Sequence, residues 1–138
     1  MATSATTGIG RFTTITLQVA DVERSVRFYR DALGLPFDAE TSGNAMGAAV
    51  GEVFLLLHKD FEPGLEGKER GVGVELHFGV ADADAYRAEL RARGVAAHEE
   101  PQDQPRGRVF SVTDPDGYAI EFVAPLQASR HQAASSGS

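Results

Sequence analysis

Two stretches of the chain alternate apolar and polar residues in the same rhythm. In Thr13-Thr14-Ile15-Thr16-Leu17-Gln18-Val19 the apolar residues Ile15, Leu17 and Val19 share one face. In Val74-Glu75-Leu76-His77-Phe78-Gly79-Val80 the matching face carries Val74, Leu76, Phe78 and Val80. A period of two predicts half-buried strands. Each stretch ends in the same three residues, Val19-Ala20-Asp21 and, 61 residues further on, Val80-Ala81-Asp82. An Asp at this point can accept the free N–H groups of a helix start. Behind Asp21, Val22, Val26, Tyr29 and Leu33 recur at helical spacing up to Gly34. Behind Asp82, Ala83, Tyr86 and Leu90 form a thinner stripe up to Gly94.

Three short strand-like runs follow each predicted helix. They are Phe37 to Thr41, Ala45 to Val50 and Val53 to Leu57 in the first half, then Ala96 to Glu99, Arg108 to Thr113 and Tyr118 to Val123 in the second. Asp114-Pro115-Asp116-Gly117 predicts a hairpin turn, with Gly51-Glu52 as its weaker counterpart. The order is βαβββ, twice, an α+β architecture. Modules this small bury little on their own, so their sheets are expected to combine into a shared, cup-shaped mixed sheet. The expected organisation is a first module at 11–58, a linker dense in charge, Gly and Pro at 59–73, and a second module at 74–125. The ends, 1–10 and 126–138, hold too little apolar surface to offset the entropy of ordering and read as disordered tails.

Composition narrows the function. A length of 138 residues suits one compact domain, and 42% apolar with 24% charged residues is ordinary globular usage. Thirteen Lys and Arg against 20 Asp and Glu leave a net charge of −7, so no basic stripe is available for nucleic acid. The absence of Cys excludes disulfides, thiolate catalysis and Cys-based metal sites. No apolar run reaches the roughly 18 residues of a membrane span, and no basic-then-apolar leader pattern is seen, so the expected location is cytoplasmic. Ser25 and Ser111 lie outside any G-x-S-x-G elbow, and Gly71-Val72-Gly73 enters a strand without a phosphate-cradling loop.

The run from Leu17-Gln18-Val19-Ala20-Asp21 through Ser25-Val26-Arg27-Phe28-Tyr29-Arg30-Asp31-Ala32-Leu33-Gly34-Leu35, with Asp114-Pro115-Asp116-Gly117-Tyr118-Ala119-Ile120-Glu121-Phe122, resembles the vicinal oxygen chelate superfamily. That superfamily contains glyoxalase I, bleomycin-resistance proteins, extradiol dioxygenases and methylmalonyl-CoA epimerase. Together with the repeat, the resemblance covers nearly everything from Arg11 to Pro125 and implies the glyoxalase/bleomycin-resistance fold. It says little about reaction, because one fold hosts many functions. It also implies four cup-lining strand positions, two per module, where the family's enzymes commonly hold a divalent metal. Seven residues before the capping aspartates these are Thr14 and Glu75; four residues past the turn glycines they are Glu121 and Leu55.

Leu55 cannot ligate a metal and Thr14 is a poor neutral ligand, so the expectation is no tightly held cofactor. The alternative is a divalent metal ion on Glu75, His77 and Glu121, since His77 lies two residues from Glu75 and projects to the same face. A pocket-lining histidine is the commoner role for such a residue. Two acids facing each other across a cup cannot both ionise cheaply. Either one keeps its proton, or a cation sits between them: a metal, an arginine such as Arg108, or a ligand. Thr16 and Gln18 would offer hydrogen bonds, Leu55, Leu57 and Phe110 apolar walls, and Met46 an adaptable floor. The expected function is therefore a small-molecule-binding protein of the bleomycin-resistance type, a homodimer holding a bulky ligand, with cationic compounds among the candidates, in an acidic cup. The alternative is a lyase, isomerase or dioxygenase, metal-dependent or metal-free, with Glu75 and Glu121 as its catalytic groups. A third possibility is a structural or regulatory module whose cup is collapsed.

Overall fold

A computed structural model of the chain describes residues 8–42, 44–60 and 70–127. The chain divides into two compact units, Met1–Glu66 and Gly67–Ser138. Most of each predicted tail, and most of the predicted linker, falls outside the described residues.

The first unit runs β1 (Thr14–Val19), a helical segment, then β2 (Ala39–Ser42), β3 (Ala45–Val50) and β4 (Val53–Lys59). Its sheet is ordered β1-β4-β3-β2, with β1 and β4 parallel and the remaining pairs antiparallel. The helical segment begins as α1 (Val22–Val26) and continues as a π-helical turn over Arg27–Ala32. Asp21 caps it, its carboxylate accepting from the Arg24 N–H at 3.1 Å. In the wider turn the Leu33 N–H reaches the Phe28 carbonyl five residues back, at 2.9 Å. The predicted stripe still turns inward: Val26, Tyr29 and Leu33 are all buried. The Tyr29 ring packs edge-on against Phe28 and tilted against Phe37.

The second unit repeats the scheme with β5 (Glu75–Gly79), α2 (Ala83–Ala92), β6 (Gln102–Gln104), β7 (Gly107–Thr113) and β8 (Ala119–Ala124), in the sheet order β5-β8-β7-β6. Asp82 caps α2 through the Ala85 N–H at 3.0 Å, with backbone angles within a few degrees of those at Asp21. Beneath α2, Tyr86 contacts the rings of Phe110 and Phe122, and Phe78 stacks on Phe122. The hairpin predicted at Asp114 forms as its chemistry requires. The Asp114 carboxylate accepts from the N–H groups of Asp116 and Tyr118, both at 2.8 Å.

One strand is displaced from its expected place. Ala96–Glu99 is not extended into a ladder; the strand beside β7 is Gln102–Gln104. Its position is set by the two-residue turn Pro105-Arg106, which pairs Gln104 with Gly107, and not by any apolar alternation of its own.

Candidate functional site

Strand register decides which side chains share a face. In the second unit Glu75 pairs with Ala119 and His77 with Glu121, so Glu75, His77 and Glu121 project from the same side of the sheet. Leu76 and Phe78 project the other way, towards α2. Ser111, paired with Glu121, and Thr113, paired with Ala119, join the first set. The two acids therefore do not oppose each other across a gap. They sit on neighbouring strands with an imidazole between them.

His77 touches both. Its Nε2 lies 2.6 Å from Glu75 Oε1 and its Nδ1 lies 3.2 Å from Glu121 Oε2. Glu121 is then gripped from its far side by Arg106, whose Nε donates to Oε2 at 3.0 Å and whose Nη2 donates to Oε1 at 2.8 Å. This is the two-pronged guanidinium–carboxylate geometry, stronger and more directional than a single contact. The Glu121 side chain is only 8% exposed, whereas those of Glu75, His77 and Arg106 are about half exposed. Burial on its own would raise the Glu121 pKa. The hydrogen bonds from Arg106 outweigh it and, with smaller help from His77, hold the carboxyl below its ordinary value. The same bonds raise the Arg106 pKa. Glu121 is thus an ionised carboxylate with an internal counter-ion, not a protonated acid.

Arg106 was not among the residues the sequence singled out, and Arg108 does not take its part. Arg108 points to the α2 side of the sheet, where Nε and Nη2 hold Asp84 and Nη1 holds Asp103 at 2.9 Å. These bonds, that to Asp84 foremost, raise its pKa. It clamps α2 to β6 and β7. The signal for Arg106 was present in Gln104-Pro105-Arg106-Gly107: a two-residue turn aims its side chains outside the alternation that governs the strands.

Other candidates also change face. Phe110 is 1% exposed and lies beneath α2 against Phe122, so it is core and not a pocket wall. In the first unit Leu55 pairs with Ile15 and Leu57 with Leu17, which places both on the buried side of the sheet, under the helix. Met46 pairs with Leu57 and lines a groove of about 870 Å³ with Val22 and Val26, again on the helix side. Thr14, Thr16 and Gln18 project from the opposite face, where their β4 partners are Phe54, Leu56 and His58. The first-unit counterpart of Glu121 is therefore Leu56. The Phe54 ring lies over Gly47, where a Cβ would come 2.2 Å from its Cζ, so a side chain there would require the ring to move. A second groove, of about 460 Å³, runs along the second unit beside Glu75. It is lined by Ala96, His98, Glu99, Ser111, Val112, Thr113 and Ala119 as well as Glu75.

Glu75, His77 and Glu121 bring one donor atom each within 4.8 Å of one another. Two carboxylates and an imidazole are suitable chemistry for a divalent ion. The arrangement is not. Both Glu121 oxygens are held by Arg106, and both ring nitrogens of His77 lie against carboxylates. The corresponding positions of the first unit, taken by itself, are Thr14, Thr16 and Leu56, two hydroxyls and a hydrocarbon. As they stand, these residues do not fit a metal.

Residues 11–122 match the family model of the Glyoxalase/Bleomycin resistance protein/Dioxygenase superfamily. The chain is 31% identical over 118 residues to a lactoylglutathione lyase of Haemophilus influenzae, covering 78% of this chain and 87% of that protein. Among solved structures it is similar to TnmS3, an antibiotic binding protein from a Streptomyces species, at 29% identity and a TM-score of 0.72, covering 85% of this chain and 97% of that one. A lactoylglutathione lyase from Agrobacterium tumefaciens shares the fold at 19% identity and a TM-score of 0.60, covering 84% of this chain and 94% of that one. No helix among the described residues is long and apolar enough to cross a membrane.

Proposed function

The chain belongs to the Glyoxalase/Bleomycin resistance protein/Dioxygenase superfamily, and we propose that within it this protein binds a small molecule and releases it unchanged. One observation carries the reading. The most buried acid of the candidate site, Glu121, is already neutralised by Arg106 and so is neither a free metal ligand nor a free base. The likeness to an antibiotic binding protein supports it.

The acids open to a ligand are then Glu75 and, around the 460 Å³ groove, Glu99, with His98, Ser111 and Thr113 as hydrogen-bonding groups. A groove of this size lies within the range of drug-sized sites. Acidic groups at its edge favour a ligand that carries an amine or another cation. The first unit, taken by itself, has its own proposed contact face in Thr14, Thr16 and Gln18, with Phe54 and Leu56 in place of Leu55 and Leu57. A homodimer is the proposed assembly, which light scattering measures directly.

The test is calorimetry with a panel of cationic, aromatic and glycosylated antibiotics, followed by mass analysis of the recovered compound. Stoichiometric binding of a compound recovered intact is expected, and Glu75→Gln should weaken it about tenfold, as loss of one charge-assisted contact does. Recovery of a chemically altered compound would overturn the reading. The identity to a lactoylglutathione lyase and the three-donor cluster favour one other reading, a lyase of that kind. Sustained turnover of lactoylglutathione, with or without added divalent metal, would select it.

A further inference from the structure

Arg106 has a role of its own, separable from the identity of any small molecule. We infer that Arg106 is a built-in counter-ion that stands where a divalent cation would otherwise bind, and that it keeps metal off the Glu75–His77–Glu121 cluster.

The placement starts with the hairpin. Gln104 pairs with Gly107, so Pro105 and Arg106 form the turn. Gly107 has a φ of +144°, and a Cβ there would come 2.5 Å from the Ala124 carbonyl oxygen. Only glycine lets the hairpin seat so closely on β8. That seating brings the Arg106 guanidinium to Glu121, three residues before Ala124 on the same strand.

Three properties make it an effective competitor. A guanidinium keeps its charge at any ordinary pH, so the block does not depend on protonation. Its fork engages both carboxylate oxygens, so a metal binding either one would compete with an existing charge-assisted hydrogen bond. It is also tethered, so it competes at an effective concentration far above that of a free ion. Any cation entering the cluster would have to displace a positive charge already bonded there, and would then feel its repulsion at short range. With the fork removed, Glu75, His77 and Glu121 still bring one ligand atom each within 4.8 Å of one another, a donor set of the kind a divalent ion uses.

The experiment compares wild-type protein with Arg106→Ala, titrated with Zn²⁺, Ni²⁺ and Mn²⁺ by calorimetry and by ¹⁵N NMR of the His77 ring. Arg106 is itself about half exposed on a turn, but its removal takes the main counter-ion from the buried Glu121; circular dichroism verifies the fold of each variant. The variant should bind one equivalent at least about tenfold more tightly than wild type, and its His77 ring resonances should move on metal addition. A second variant, Arg106→Ala with Glu121→Gln, should lose that gain. Equal affinity in wild type and Arg106→Ala would overturn the inference. So would a gain that survives Glu121→Gln, because the metal would then sit elsewhere.

Discussion

Glu121 shows how a single side chain can be both buried and charged. A carboxylate withdrawn from water favours its neutral form, yet the Arg106 fork reverses the balance and lowers the folded-state pKa. The linkage has a definite sign. A carboxyl whose pKa is lowered on folding contributes stability at pH values above its unfolded pKa, and that contribution is lost as pH falls through the folded value. Carboxyl ¹³C NMR should therefore show Glu121 titrating below an ordinary glutamate. In Arg106→Ala the titration should move upward, and acid unfolding should depend less steeply on pH in the acidic range. A Glu121 titration that Arg106→Ala leaves in place would contradict this account. The sequence leaves open that one acid keeps its proton or that a cation sits between the two, and the arginine it offers is Arg108, two residues from the right one. A strand side chain is bound to its pleat, and the pleat sends Arg108 to α2, whereas Arg106 in the turn is free of that alternation.

At the scale of the element, the repeat made both halves legible, and one loop made part of the site illegible. The capped helices behind Asp21 and Asp82, and the parallel pairing of the first and last strand in each unit, follow from residues that recur. Counting from the turn glycines, however, assumed that the two hairpins were equally long. Val50 pairs with Val53 across Gly51-Glu52, whereas Thr113 pairs with Ala119 across a longer turn. A shift of one residue exchanges the faces of a strand, and Leu56 takes the place assigned to Leu55. Glutamate substitutions separate the two positions. Leu55→Glu buries a carboxylate under the helix and should cost about 3 kcal/mol or more. Leu56→Glu, on the other face and half-buried, should cost roughly 1 kcal/mol or less. Urea denaturation measures both, and equal losses would argue against the observed register.

For the molecule as a whole, the net charge of −7 and the Glu121 site act on cations in different ways. The field of the whole chain attracts any cation, including divalent metals, weakly and without geometry. Such a field adds to any affinity of the three-donor cluster for metal, and on the inference above Arg106 opposes it locally. Sequence arithmetic gave the sign of the field, but not where it is cancelled. That depends on a hairpin bringing a turn residue beside a strand 15 positions away, a contact no local pattern encodes. Salt distinguishes the two effects. At about 1 M salt the screening length falls to about 3 Å, so attraction by the general field should vanish. Coordination by three short-range donors should persist. Metal association with wild-type protein is therefore expected to disappear in high salt, while that of Arg106→Ala remains, measured by calorimetry across a salt series. If both decline together, the metal bound by the variant belongs to the diffuse field, and the arginine was guarding nothing specific.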